Sequence, residues 1–141
     1  MPKLTKAQLS AVEAKNRNIL ISAAAGSGKT HTLTQRLIKG ITDGRHEVSR
    51  LCVVTFTRAA AAELKRRIHS ALEEAVLKAE GDRETINRLT RQINDLPGAR
   101  ISTIDSFCRS LLQSNFEALG LAAGVRLSDE NEAAMIREAA M

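Results

Sequence analysis

Aromatic residues are nearly absent from this 141-residue chain, which has no Trp, no Tyr and three Phe. Stacking platforms are therefore scarce, and any affinity for a polymer of bases has to come mostly from charge. Cysteine is also sparse. Cys52 and Cys108 sit in apolar patterns and neither has the partner spacing of a zinc site, so both are expected to be reduced core residues. The three histidines, His31, His46 and His69, are too scattered to suggest a metal centre. No apolar run approaches the length of a membrane span, and the opening MPKLTKAQ is polar rather than signal-like. A cytoplasmic location with no membrane partner is the resulting expectation. The 43% apolar content is sufficient for the core of one modest globular domain.

Charge is present in excess of one sign. The formal net charge is +5 and unevenly spread: 19 basic residues face 11 acidic ones up to Leu111 (+8), and 2 face 5 from Leu112 onward (−3). Such an excess marks either a polyanion partner or a solvated basic face.

The stretch from Asn18 to Leu33, NILISAAAGSGKTHTL, carries the strongest pattern. An apolar strand (Ile19, Leu20, Ile21), a small-residue loop (Ala23, Ala24, Ala25, Gly26, Ser27, Gly28) and a helix opening at Lys29-Thr30 give the strand, loop, helix order of a phosphate-binding loop. A triphosphate must be wrapped closely by backbone N–H groups at the positive end of a helix dipole. Gly26 and Gly28, lacking Cβ and tolerating positive φ, allow that approach on either side of Ser27. Lys29 would reach the β and γ phosphates of ATP, and Thr30 would coordinate the bridging Mg²⁺. The strict pattern begins with glycine; Ala23 is a variant that leaves the Gly-x-Gly-Lys-Thr core intact.

Elsewhere the pattern alternates helix and strand. Thr5 can cap a first helix that presents Leu9 and Val12 on one face. Gln8, on that helix, has an amide able to pair with the N6 and N7 edge of adenine, although a surface glutamine needs no such role. After the P-loop helix, LCVVTF reads as a strand buried on both faces. Leu64, Ile68, Leu72 and Val76 then recur at helical spacing, as do Ile86, Leu89 and Ile93. Pro97-Gly98 ends that run, and ARISTI begins another strand that leads into the amphipathic SFCRSLLQSNFEALG. Parallel strands near Ile19–Ser22, Leu51–Phe56 and Ile101–Thr103 are expected, with an unfinished sheet edge.

LTKAQ, AAAGSGKT, VVTFTRAAAAELKRRI and ISTIDSFCRSLL, in that order, resemble the Q motif and motifs I, Ia and Ib of superfamily 1 UvrD/Rep-like DNA helicases, over about Leu4 to Leu112. The Arg-Ala-Ala-Ala-Ala-Glu-Leu run and the Ser-Phe-Cys segment are most similar to the AddA or RecB subunits of bacterial helicase-nucleases. That resemblance implies an α/β fold, a three-layer RecA-like P-loop NTPase domain with a parallel sheet, incomplete in a chain that looks like the N-terminal part of a larger protein. Residues 1–115 would belong to the ATP-binding domain and residues 116–141 to the start of a helical 1B-type insertion. It implies a 3′–5′ ATP-dependent helicase, with a nuclease domain in the parent protein, acting in double-strand break repair and recombination. ATP and Mg²⁺ would be the cofactors. Single- or double-stranded DNA and a second component of a helicase-nuclease complex would be the partners.

The same resemblance makes Gln8 the adenine reader and adds Arg58 to a nucleotide- or DNA-facing position. Thr55 and Thr57 would hold a DNA phosphate at the C-terminal end of a parallel strand, and Phe56 would stack on a base or else pack in the core. Lys65-Arg66-Arg67 reads as a solvated face. Thr103 and Ser106 are candidate phosphate contacts, with Phe107 and Cys108 on a buried face beside Leu111. Asp105 departs from the more frequent histidine; an aspartate cannot donate to phosphate at neutral pH, and a helix-capping role suits it better. The Asp129-Glu130 pair follows VRLS rather than an apolar strand, so it reads as a helix start rather than a water-activating acid pair. Two other classes stay open from the residues alone: a P-loop small-molecule kinase, and a non-catalytic nucleic-acid-binding module. The kinase gives no reason for TFTRAA or STIDSF.

Overall fold

The computed structural model describes residues 4–24, 26–121, 128 and 130–140. They form two compact units, Met1–Ile104 and Asp105–Met141. The first unit runs α1 (Lys6–Glu13), α2 (Lys29–Thr42), β1 (Cys52–Thr55), α3 (Arg58–Lys78), α4 (Arg83–Asp95) and β2 (Arg100–Thr103), with short 3-10 turns at Val48–Arg50 and Leu96–Gly98. The second holds α5 (Ile104–Ser114), which starts at the junction, and α6 (Glu130–Ala139).

β1 and β2 pair in parallel, with Val53 opposite Ile101 and Thr55 opposite Thr103. The link between them is α3 and α4, as parallel pairing requires a long crossover. α3 packs on both strands, on α2 and on α4, so the core lies along one of its faces. There Leu64, Ile68 and Leu72 meet Leu37 and Ile41 of α2, Leu89 of α4, Val53 and Ile101. Val76 and Ile93 pack at the edge of this cluster, in agreement with their helical spacing.

Three polar residues join elements to one another. Gln92, buried in α4, accepts the Val48 N–H through Oε1 at 2.7 Å. Arg88 donates to the carbonyls of Ile41 and Thr42 at 3.0 and 2.7 Å, closing the C-terminal end of α2. Arg36 does the same for α1, as described below.

Several expectations are corrected. Ile19–Ser22 forms no strand: β1 and β2 pair with each other, and a strand exists only through its ladder. Leu20 is 92% exposed. LCVVTF is buried on one side only, because α3 covers one face of the small sheet; Val53 is buried while Cys52 and Val54 are exposed. Both cysteines are free, as expected, but exposed rather than in the core. α5 has no buried residue: Phe107 is half-buried, and Cys108 and Leu111 are exposed. Asp105 lies inside the first turn of α5 rather than before it, where its charge still suits the helix dipole. α6 starts at Glu130, consistent with the helix-start reading of the acid pair, while Asp129 and the P-loop residue Ala25 lie outside the described residues.

Candidate nucleotide-binding site

The capping box of α1 brings the first elements of the site together. Thr5 Oγ1 accepts the N–H of Gln8 at 3.3 Å, and Gln8 Oε1 accepts the N–H of Thr5 at 2.9 Å. The other end of the same amide, Gln8 Nε2, donates to the Ser27 carbonyl at 3.1 Å. The N-terminal helix is thus fastened to the P-loop through one side chain.

Within the loop, Gly26 and Gly28 have φ of +77° and +83°, the left-handed conformation that favours glycine. Ser27 N–H donates to the Ala24 carbonyl at 3.3 Å, which tightens the turn. Gly28 is the N-cap of α2 and, having no side chain, leaves the first amides of the helix without a side-chain cap. Free amides at the positive end of a helix dipole are what an anion would satisfy. Lys29 folds over the loop, its Nζ donating to the carbonyls of Ala23 and Ala24. Thr30 opens the helix with its side chain exposed, while Thr32 and Thr34 are buried and donate back to the carbonyls of Gly28 and Thr30.

A cavity of about 250 Å³ lies between α1 and the loop, with Gln8 and Ala11 on one side and Ser22, Ser27 and Lys29 on the other. A larger hollow of about 500 Å³ separates α2 from α3 and includes Arg66 and Arg67 in its lining. Both guanidinium groups are engaged by Glu63 at 2.7–2.8 Å, so this hollow offers little free positive charge. Those bonds hold the Glu63 carboxyl down to about 2, Arg66 contributing most and Arg67 next. Lys65, the third member of the basic run, donates to the Pro97 carbonyl at 3.1 Å.

The TFT segment follows β1. Phe56 is 96% exposed, which removes the core-packing alternative for this ring. Thr55 Oγ1 donates to the Thr57 carbonyl at 2.9 Å, and Thr57 Oγ1 caps α3 by accepting the Ala60 N–H at 3.1 Å. Arg58 is exposed as the first residue of α3. Thr103 ends β2 and is only 8% exposed, too little surface for a phosphate in this structure. Ser106 lies in the second unit, half-buried in the first turn of α5.

The order of a capping-box glutamine, a Gly-x-Gly-Lys-Thr turn and an exposed TFT aromatic agrees with a comparison of sequences: residues 4–141 match the UvrD/REP helicase N-terminal domain. The chain belongs to this family. Among its relatives, the ATP-dependent helicase/nuclease protein AddA of Lactobacillus acidophilus is 42% identical over 142 residues, covering 100% of this chain and 11% of the relative. The protein of that name from Geobacillus kaustophilus is 43% identical over 136 residues, covering 95% and 11%. That of Ruminiclostridium cellulolyticum is 39% identical over 137 residues, covering 96% and 11%. The chain therefore spans about a tenth of the length of these curated relatives.

Sequence reasoning found the loop, its lysine and Gln8, but missed Arg36, Arg88 and Gln92. Their partners are backbone atoms 22 to 47 residues away, and no local pattern marks a side chain whose partner is distant main chain. A basic or amide residue at the edge of an apolar helix face is the only hint available.

Proposed function

We propose that this chain is the ATP-binding N-terminal part of a 3′–5′ ATP-dependent DNA helicase of the helicase-nuclease type. The full-length protein would work in the cytoplasm with a second component of the complex, in double-strand break repair and recombination. Its fold would be the first part of a RecA-like domain over residues 1–115, followed by the start of a helical 1B-type insertion over residues 116–141. The observation that carries the reading is Lys29 at the uncapped N-terminus of α2, behind a loop turned by Gly26 and Gly28 and faced by Gln8.

ATP fits this arrangement chemically. The carbonyls of Ala23 and Ala24 hold Lys29 as neutral acceptors, and phosphate oxygens would replace them with stronger, charge-assisted bonds. The amides from Ala23 to Gly28 would cradle the phosphates, Thr30 would hold Mg²⁺, and Gln8 would read the base. The bound ion would neutralise charge on the phosphates. Arg58 would serve the nucleotide or the DNA. Thr55, Phe56, Thr57 and Ser106 would meet single-stranded DNA, while Thr103, being buried, would support the end of the sheet. Membership of the helicase family sets the kinase reading aside.

ATP with Mg²⁺ should raise the melting temperature of the chain, and Lys29→Ala should abolish that rise. Equal stabilisation of both proteins would remove the P-loop reading, and failure of ATP to stabilise the unmodified chain would favour a non-catalytic nucleic-acid-binding module.

A further inference from the structure

Arg36, half-buried in α2, points its guanidinium at the C-terminal end of α1. Its Nη1 donates to the carbonyls of Ala11 and Ala14, both at 2.7 Å, and lies 3.5 Å from that of Val12. The last carbonyls of a helix have no partner within it and carry the negative end of its dipole, so a guanidinium is the group best suited to close them.

α1 has little else to hold it. It is 8 residues long, too short to persist alone, and Val12 is its one buried residue among those described. Yet α1 carries Gln8, forms one wall of the cavity beside the loop and meets the loop at Ser27. The position of the Gln8 amide is therefore set by three attachments: Val12, the bond to Ser27 and Arg36. Of these, the Ser27 bond uses the same amide that a base would engage. When a base engages that amide, Val12 and Arg36 are left to keep the helix in place.

We propose that Arg36 is a positioning residue for base recognition, tying α1 to α2 so that Gln8 stays aimed at the nucleotide while the phosphate grip of Lys29 and the loop is independent of it. This inference rests on the reading of Gln8 as the adenine contact.

Titration calorimetry of the chain with ATP and with inorganic tripolyphosphate, each with Mg²⁺, separates base from phosphate recognition. Arg36→Met is expected to weaken ATP binding about tenfold and tripolyphosphate binding by less than about twofold. In a Gln8→Ala background the same substitution should add nothing to the loss for ATP, since both act through one contact. Arg36→Lys keeps the charge but cannot bridge two carbonyls from one planar group. It should give an intermediate loss of about threefold and replaces the Met variant if that does not fold. Equal weakening of both ligands, an additive loss in the Gln8→Ala background, or an unchanged ratio with Arg36→Lys would overturn the positioning role. An unchanged ratio in Gln8→Ala alone would instead remove the adenine reading beneath it.

Discussion

The side chain of Gln8 fills the space that a Cβ on residue 28 would need, with Nε2 only 2.9 Å from that point. Gly28 is therefore required twice, by its φ of +83° and by the approach of Gln8, whereas Gly26, with φ of +77°, has open space around its missing Cβ. Gly28→Ala should cost about 1–3 kcal/mol through backbone strain and also push Gln8 off Ser27. Gly26→Ala should carry the strain alone. Urea denaturation of the two variants tests this ordering, and a Gly26→Ala variant less stable than Gly28→Ala would contradict it.

ATP binding without turnover is expected of this chain, even with single-stranded DNA present. Ground-state binding has most of its parts in the loop, Lys29 and Thr30. Hydrolysis also needs an acid to position water and a cation aimed at the developing charge, and an arginine finger alone is worth about 10³–10⁵ in rate in related NTPases. Asp129-Glu130 does not follow a strand among the described residues, and α6 starts at Glu130. Phosphate release by the purified chain at a helicase-like rate, lost in Lys29→Ala, would show that a carboxylate within it completes the site.

Single-stranded DNA should bind weakly, without sequence preference, and with log K falling steeply with log salt, because charge rather than stacking dominates. Phe56 is the exception worth testing. At 96% exposure it contributes little to the fold, so Phe56→Ala should leave stability within about 0.5 kcal/mol yet weaken DNA binding by ~1–3 kcal/mol. Fluorescence anisotropy at several salt concentrations reads both effects. Salt-insensitive binding, or a Phe56→Ala variant with full affinity and lowered stability, would refute the assignment.

Glu63 should titrate at about pH 2 rather than at the ordinary 4.5, because Arg66 and Arg67 both donate to its carboxylate. A depressed carboxyl stabilises the folded chain above its ordinary range and loses that contribution as pH falls from about 4.5 toward 2. The cluster is solvent-exposed, so the effect on stability is small; the midpoint itself is the measurable quantity. In an NMR titration of side-chain carboxyls, Arg66→Ala should move the Glu63 midpoint up toward 4.5. An unchanged midpoint would mean that Arg67 alone holds the charge.

What the sequence determined on its own is what depends on a few neighbouring residues. The capping box of Thr5 and Gln8 needs two positions three apart, the turn at Gly26 and Gly28 needs residues that accept positive φ, and the face of α3 needs apolar side chains four apart. All were legible, and so was the family, because its motifs are local strings in a fixed order. The tertiary structure decided the rest. Ile19, Leu20 and Ile21 have the composition of a strand but no partner to pair with among the described residues, and strand formation is a property of two segments. Val54, Phe56 and Cys108 have core-like character, yet their exposure was set by which face of a sheet or helix a neighbour covers. Arg36 looked like one more surface cation until folding brought the end of α1 to it, since the acceptors it satisfies are main-chain carbonyls that every sequence possesses and only packing aligns.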